Sequence, residues 1–356
     1  MTTGSVAQQR IRRGTSDVST VVAGESDAGI WDAFVDTCPD AAAYHSWGWR
    51  GVFERAFGHT CVYLIARSGN SVCGVLPLVQ INSLLFGRTL TSLPFVNYGG
   101  VLAGEEPAAE QLMSAAAEEA RARRCQHVEL RHVARRFPSL PCRQHKVTML
   151  LRLAGVDWSS LDKKVRNQIR KAEKSGLAIQ SGHVEMLDEF YAVFARNMRD
   201  LGTPVYDRQL FGEVLRTFPE RARLHVVRLG TTPVAAGLTL RGRSRLEMPW
   251  ASSIRDYNSL CPNHLLYWTA IQHARDSGCE VFDFGRSTPG EGTFKFKEQW
   301  GAQPVPLHWE YCLNGPSEVP NISPDNRKYA LMVNAWTRLP LPLANLIGPH
   351  IVRSIP

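Results

Sequence analysis

The spacing of apolar positions divides most of the chain into two stretches with the same order of predicted elements. In the first stretch, helical patterns at residues 31–34 and 47–57 precede a hairpin pattern, whose strands at 61–67 and 71–80 are joined by Ser68-Gly69-Asn70. A strand at 89–95, a helix at 107–124 and a strand at 127–131 complete the stretch.

The second stretch repeats this order, beginning with helical patterns at 184–201 and 208–217. A hairpin with strands at 223–229 and 234–241 follows. The remaining predicted elements are a strand at 245–250, a helix from Pro262 to Gly278, a strand at 280–284 and an alternating strand at 305–313.

Glycine falls early in the second strand of both hairpins, at Gly74 and Gly237. We therefore predict two copies of one α/β (α+β) unit, each a mixed sheet with helices on its faces. Chance similarity between the two hairpins is the alternative explanation.

Four segments follow from this organisation. Residues 1–25 are polar and predict a loose arm, 26–153 form a first domain, 154–315 form a second domain, and 316–356 form a tail. The tail holds a helical pattern at 327–338 and a Pro-rich apolar end. We expect it to dock on the first domain, and shallow contact with an inner membrane is the alternative.

Composition is typical of a globular protein, since 44% of the residues are hydrophobic and 21% are charged. That excludes a mostly disordered chain, a collagen and a coiled coil. The net charge of +8 favours anionic partners, or simply solvated surface charge. The eight cysteines form no CxxC pair, the N-terminus lacks a signal-peptide pattern, and no apolar run reaches 18 residues. We expect a cytoplasmic protein with reduced, mostly buried thiols.

Two segments concentrate positive charge. Residues 121–152 hold nine Arg and Lys residues against Glu129, and residues 163–174 hold six against Glu173. The second segment, which includes Lys163, predicts a helix that begins after Asp162 and carries Arg166 and Arg170 one turn apart on its outer side. These cations either contact phosphate groups or form a solvated face.

Several catalytic patterns are absent from the sequence. It contains no GxSxG elbow, HExxH pair, Walker-type loop or GxGxxG turn, and its histidines are scattered. A covalent serine hydrolase is therefore not supported, and we expect no metal site.

The densest chemical segment spans residues 282–301. A predicted strand ends at Gly285, and a Gly-rich loop then leads to a short aromatic helix that carries Lys295 and Lys297. Ligands of open α/β sheets bind beyond the carboxyl ends of strands. Arg286, Ser287 and the two lysines are therefore candidates for binding an anionic group. A structural loop with solvated lysines is the alternative.

Three blocks of sequence resemble FemAB-type aminoacyltransferases, which consist of tandem units related to GNAT acetyltransferases. The blocks are 164–176 (KVRNQIRKAEKSG), 262–268 (PNHLLYW) with Ala270-Ile271, and 283–301 (DFGRSTPGEGTFKFKEQWG). Residues 97–100 (NYGG), 198–204 (MRDLGTP) and 336–342 (WTRLPLP) are similar to the subgroup associated with exosortase (PEP-CTERM) and exopolysaccharide gene clusters. The resemblance covers about residues 27–356.

The resemblance implies two tandem GNAT-like domains and direct transfer of an acyl or aminoacyl group to an amine of a cell-envelope or exopolysaccharide precursor. It implies that Lys297 lies near the reaction centre and that Arg166 and Arg170 lie near a phosphate-bearing or lipid-linked substrate. It also implies partners from the same gene cluster.

Two departures leave the donor open between acyl-CoA and aminoacyl-tRNA. The long coiled-coil insertion of peptidoglycan-bridge members is absent, and so is the Gly-rich pyrophosphate loop, whose place is taken by residues 253–259 (SIRDYNS). No tightly bound cofactor is expected. An acyl-CoA-dependent N-acetyltransferase and a non-catalytic polysaccharide-assembly protein are the alternative functions.

The mechanism that we expect needs no nucleophilic side chain, because two substrates held together react directly. Lys297 or Arg286 would stabilise the oxyanion. Asp283 either accepts the amine proton or is a buried strand carboxylate that holds Arg286. The remaining substrate-binding candidates, which line the groove or belong to the core, are Trp250, Tyr257, Asn263 and Tyr267.

Overall fold

The computed structural model describes residues 18–83, 87–315, 319 and 333–355. Its strands are β1 Val18–Val22, β2 Thr60–Ser68, β3 Ser71–Ser83, β4 Gly87–Thr91, β5 Leu102–Ala103, β6 His127–His132, β7 Cys142–Arg143, β8 Val147–Arg152, β9 Leu177–Gly182, β10 Ala222–Leu229, β11 Thr232–Arg241, β12 Arg245–Ser253, β13 Val281–Ser287, β14 Gln303–Pro306 and β15 His308–Leu313. Its α-helices are α1 Ala28–Thr37, α2 Trp49–Phe57, α3 Glu106–Ala122, α4 Lys163–Lys174, α5 Leu187–Asp200, α6 Arg208–Thr217, α7 Pro262–Asp276, α8 Gly292–Glu298 and α9 Leu341–Val352.

These strands form two sheets of the same topology. The first has the order β1-β2-β3-β4-β6-β15-β7, with β5 beside β3, and the second has the order β9-β10-β11-β12-β13-β8-β14. Each sheet is antiparallel except for one parallel pair, which is β4 with β6 in the first sheet and β12 with β13 in the second. The predicted fold class, two mixed and mostly antiparallel units with helices, is confirmed.

The two sheets exchange strands across the predicted domain boundary. The sequence prediction ends the first domain at residue 153, yet β8 pairs with β13 of the second sheet. The predicted strand 305–313 divides at Leu307: β14 pairs with β8, whereas β15 returns to the first sheet beside β6. Each half of the chain therefore completes the other half's sheet.

Local sequence explains the helices that flank the site. In α4, the Asp162 carboxylate accepts a hydrogen bond from the Lys164 N–H at 2.7 Å, and the helix buries Val165, Ile169 and Ala172. Helix α7 begins at Pro262, as predicted, because proline is favoured in the first turn.

A shared core joins the two halves. It includes Trp31 and Trp49 from the first half and Phe190, Phe211 and Trp250 from the second. A separate core covers the other face of each sheet; that of the second sheet contains α4, α7 and the β13 residues Phe282 and Phe284. The second sheet therefore has one face toward the first half of the chain and one toward α4 and α7.

The ends of the chain depart in part from the prediction. Residues 18–22 of the expected loose arm form β1, which pairs with β2, and residues 1–17 lie outside the described ranges. Much of the predicted helix at 327–338 also lies outside them. Helix α9 packs against α5, and Arg353 lies beside His59 of the first half.

Two features are absent from the described residues. No helix there combines the length and the apolar character needed to cross a bilayer. In the same ranges, no group of three or more His, Cys, Asp or Glu side chains could hold a metal ion. The eight cysteines, which all lie within those ranges, are free thiols.

Candidate active site

The second sheet opens between its two parallel strands. β12 and β13 pair at only three positions, and the last pair is Glu247 with Asp283. Beyond it, β12 continues to Ser253 along β11, while β13 continues to Ser287 along β8. Pro249 has no N–H to extend the ladder, and the β11–β12 register also shifts here. The two strands thus form a fork with Glu247 and Asp283 at its base.

Asp283 is fully buried and accepts three hydrogen bonds. Its carboxylate receives them from the Thr148 hydroxyl at 2.5 Å, the Tyr98 hydroxyl at 2.7 Å and the Gly285 N–H at 2.8 Å. The nearest guanidinium nitrogen is Nη1 of Arg245, at 3.6 Å. Asp283 is therefore a buried strand carboxylate, but its cationic neighbour is Arg245, and the predicted pairing with Arg286 is wrong.

Glu247 lies beside Asp283 and is only 3% exposed. Asn97 donates a hydrogen bond to its carboxylate, and the Tyr98 hydroxyl lies 3.2 Å from Oε2. Arg245 in turn donates to the Tyr98 oxygen at 2.9 Å. The first half of the chain thus supplies the polar side chains that hold the acidic pair of the second.

Burial and the neighbouring Asp283 charge raise the pKa of Glu247 to about 8. The same two effects, burial first and the carboxylates second, raise the pKa of Tyr98 well above its ordinary value. Tyr98 therefore stays protonated and remains a donor. Near neutral pH, a proton can move on or off the acidic pair at little cost in free energy.

A bulge in β13 turns Arg286 to the face that carries Asp283. Asp283 pairs with Leu150 and Arg286 with Thr148, so β13 has one extra residue here, and Gly285 takes a left-handed φ of 74°. A side chain at Gly285 would also bring its Cβ within 3.1 Å of the Met248 carbonyl oxygen. Glycine is therefore required at the bulge.

Lys297 fixes this bulge. Its ammonium group donates to the carbonyl oxygens of Gly285 and Arg286, both at 3.0 Å, and the residue is only 6% exposed. Burial lowers its pKa to about 8, although Asp283 and Glu247 act in the opposite direction. Lys297 thus lies on the α8 side of the bulge, where the charges of the acidic pair act on it, and does not point into bulk water.

Arg286 has no ion-pair partner in the part of the chain that the structure describes. Its guanidinium lies over the Trp309 ring, 5.6 Å from the centroid, and Arg131 lies over the same ring at 4.3 Å. Arg131 is neutralised by Glu129, whose carboxylate is 2.7 Å away. Among the described residues, no ion pair or side-chain hydrogen bond joins Arg286. Burial and the Arg131 charge lower its pKa.

A cavity of about 270 Å³ adjoins the acidic pair. Its wall comes from residues within 39–45, 98–103 and 131–136 of the first half and within 240–247 of the second. Glu247, Tyr98, Arg131 and Arg245 are part of this wall. The volume lies just under the usual range for small-molecule sites. A second depression, near α8 and residues 154–162, has none of these side chains in its lining.

The structure brings together Asp283, Arg286 and Lys297, the three predicted catalytic residues. Ser287 follows on the same strand; it is 4% exposed, and its hydroxyl is unpaired within the described part of the chain. Lys295 lies on α8 but is exposed.

The basic helix α4 lies on the other face of the second sheet. It packs against α7 and β9, in the core that contains Phe282 and Phe284. Lys163 and Arg170 are exposed, Arg166 is partly exposed, and Arg170 lies over Trp158 at 5.3 Å from the ring centroid. Neighbouring strand residues point to opposite faces, so Asp283 faces away from α4.

The four remaining predicted residues lie in two places. Trp250 meets Phe211 edge-on at 5.3 Å, and Tyr267 stacks on Phe284 at 5.2 Å, so both belong to the buried core. Asn263 donates to the Ser253 hydroxyl at 2.9 Å, at the open end of the fork. Tyr257 lies nearby in the 3-10 turn Arg255–Leu260.

Sequence reasoning missed Glu247, Arg245, Tyr98 and Arg131. One signal was present: Glu247 interrupts an otherwise apolar stretch, Leu246-Glu247-Met248, inside a predicted strand. An acid at such a position must be paired or functional once the strand is buried. Its pairing with Asp283 depends on the sheet order, which the sequence does not reveal.

Residues 159–298, which contain this fork, match the acetyltransferase (GNAT) domain family. The chain has a tandem GNAT-like fold. The structure of FemX shares it at 14% sequence identity, with a TM-score of 0.63 over 82% of this chain and 96% of that one. The C-terminal domain of a putative lysylphosphatidylglycerol synthetase from Agrobacterium fabrum shares it at 14% identity, with a TM-score of 0.56 over 80% of this chain and 92% of that one. A tandem GNAT protein from the clavulanic acid biosynthesis pathway shares it at 13% identity, with a TM-score of 0.55 over 85% of this chain and 100% of that one.

No protein of curated function matches the sequence. The match to the GNAT domain family supports an acyltransferase, and it leaves the substrates unspecified. The GNAT match ends at residue 298, at the end of α8, so it includes both carboxylates and Lys297.

Proposed function

We propose that the protein transfers an acyl or aminoacyl group directly to an amine, with Glu247 as the proton acceptor. One observation carries this proposal: two buried carboxylates meet at the base of the fork beside a cavity, and burial raises the pKa of Glu247 to about 8. A general base works best when its pKa lies near the operating pH.

The reaction forms one bond and breaks another. The amine nitrogen attacks the carbonyl carbon of an ester or thioester, the C–O or C–S bond breaks, and the leaving group takes up a proton. Glu247 accepts the proton that the amine loses. Tyr98 and Asn97 orient its carboxylate through their hydrogen bonds. Because both substrates are bound together, the reaction needs no covalent enzyme intermediate.

Arg286 and Lys297 take different roles in this proposal. Arg286, which has no acidic partner among the described residues, binds an anionic group of one substrate. Lys297 is a positioning residue, since its hydrogen bonds fix the two carbonyl groups of the bulge that orients Arg286. Asp283 keeps Glu247 partly protonated through its charge.

The donor is either acyl-CoA or an aminoacyl ester of tRNA. The GNAT match favours the first, and the similarity to FemX and to a lysylphosphatidylglycerol synthetase favours the second. An amine of a cell-envelope or exopolysaccharide precursor is the acceptor that the FemAB resemblance suggests, in the cytoplasm at the inner membrane. A thermal-shift screen with CoA thioesters and charged tRNA selects the donor.

The Glu247→Gln variant tests the proposal with the selected donor and a panel of amines. We expect kcat to fall by roughly 10²- to 10⁴-fold, the usual contribution of a general base. The wild-type rate should fall as the pH drops below about 8, because protonated Glu247 cannot accept a proton. The variant should lose this pH dependence. Measuring amide product between pH 6 and 9 checks both effects.

Glu173→Gln, at an exposed position on α4, is the matched control and should keep the wild-type rate. A Glu247→Gln enzyme with the wild-type kcat and the wild-type pH profile would refute Glu247 as the base.

A further inference from the structure

Helix α9 presents its large apolar side chains to solvent. Leu343 is 40% exposed, Leu346 is 67% exposed and Ile351 is 37% exposed. Leu201 is 61% exposed, and it lies between Arg199, which donates to the Leu339 carbonyl oxygen, and Gly202, which adjoins Val333. We call the exposed side chains of Leu201, Leu343, Leu346 and Ile351 the α9 face.

Small residues hold α9 on the protein. Ala344, Gly348 and Val352, spaced four apart, are its buried positions. A side chain at Gly348 would bring its Cβ within 2.9 Å of the Val205 backbone nitrogen. The inner side is therefore packed closely through small groups, and the leucines point outward. A helix that only covered a protein core would have the opposite arrangement.

Positive charge flanks α9 at both ends. Residues 333–355 contain two arginines, Arg338 and Arg353, and no Asp or Glu, and both arginine side chains are exposed. The nearest acid in the adjoining helix, Asp200, is paired with Arg199 at 2.7 Å. A helix with exposed apolar side chains beside cations has the chemistry of one that lies in the plane of an anionic lipid surface.

We propose that the α9 face docks on an anionic lipid bilayer, with Leu343, Leu346 and Ile351 in the acyl boundary and Arg338 and Arg353 at the headgroups. The charge complementarity selects lipid over a second copy of the chain, because two copies of this cationic face would repel each other. The proposal concerns attachment only and stands independently of the transfer reaction.

Co-sedimentation of the full chain with vesicles tests this proposal. We expect binding to vesicles of phosphatidylcholine with 30% phosphatidylglycerol and little binding to pure phosphatidylcholine. Leu343→Ser with Leu346→Ser should weaken binding roughly tenfold or more for each leucine removed. Arg338→Gln and Arg353→Gln should each weaken it by a factor of about five, and high salt should do the same.

Ile30→Ser with Val184→Ser is the matched control, since these residues are 40% and 49% exposed outside the α9 face. This variant should bind as the wild type does, and circular dichroism should show that all variants are folded. No vesicle binding by the wild type, or equal loss in both double variants, would overturn the proposal. Concentration-dependent self-association that the α9 variant abolishes would assign the face to a second copy and overturn it as well.

Discussion

The two sheets have the same fork position but different chemistry there. In the first sheet, the parallel β4–β6 ladder ends with Thr91 opposite Glu129, and the Arg131 guanidinium neutralises Glu129 at 2.7 Å. In the second, the β12–β13 ladder ends with Glu247 opposite Asp283, and the nearest cation is 3.6 Å from Asp283. Topology therefore fixes where a fork lies, and the acidic residues there decide whether it can accept a proton.

The first fork is also closed by backbone hydrogen bonds. The Ser92 N–H donates to the Glu129 carbonyl oxygen at 2.8 Å, and the Gly100 N–H donates to that of Arg131 at 2.9 Å. Between them the chain loops out, with Leu93 and Phe95 at left-handed φ values of 51° and 69°. Such strain persists where the surroundings impose it. This loop carries Asn97 and Tyr98 to the second fork, where both donate hydrogen bonds to the acidic pair.

The largest effect on stability should come from breaking the ion pair between Glu129 and Arg131 at the first fork. Arg131→Met leaves the Glu129 carboxylate, only 4% exposed, without its partner. Removing one member of a buried ion pair costs about 3–5 kcal/mol in the free energy of unfolding. Arg131→Met with Glu129→Gln should recover much of this loss, because no charge is then stranded. Urea unfolding measures all of these values.

The partly exposed pair of Arg123 with Glu119, 2.9 Å apart, is the matched control. Arg123→Met should cost at most about 1 kcal/mol. If Arg131→Met costs no more than this, the first fork is not stabilised by its ion pair, and the contrast between the forks is wrong.

Removing the Tyr98 hydroxyl should have an intermediate effect. Tyr98→Phe deletes the donor to Asp283 at 2.7 Å, and hydrogen bonds to charged groups contribute about 1.5–3 kcal/mol to stability. The loss of a donor to the ionised form should raise the pKa of the acidic pair further. The alkaline rise of the transfer rate should therefore move to higher pH, which a pH–rate profile measures.

Tyr191→Phe provides the comparison, because its hydroxyl donates to a neutral acceptor, the Tyr206 carbonyl oxygen at 3.0 Å. It should lower stability by about 0.5–1.5 kcal/mol and leave the pH profile in place. A Tyr98→Phe profile identical to that of the wild type would show that Tyr98 does not control the protonation of the pair.

The local pattern of apolar and polar residues predicted most of the helices and strands. The features that it missed depend on the order of the strands in the two sheets. The capping carboxylate of Asp162, the start of α7 at Pro262 and both hairpins depend on neighbouring residues, and these predictions are confirmed. The alternation over 305–313 continues through Leu307, where the chain passes from one sheet to the other, so periodicity alone could not divide it. Glu247 was missed for the same reason, since its meaning comes from a partner 36 positions later, Asp283.

The smallest effect should come from α4, on the face of the second sheet that faces away from the fork. Arg166→Ala with Arg170→Ala removes two outward cations and should change stability by about 0.5 kcal/mol or less, because both are surface positions. Binding of a phosphate-bearing substrate should weaken, and added salt should reproduce that loss by screening.

Lys171→Ala with Lys174→Ala is the matched control, because it removes the same charge from the same helix. Titration of the donor at two salt concentrations compares these variants. A loss of affinity confined to the arginine variant would mean that a substrate extends beyond the fork to α4. Unchanged affinity in both variants would mean that the α4 cations are only solvated surface charges. Substrate recognition would then be restricted to the side of the sheet that carries Glu247 and Arg286.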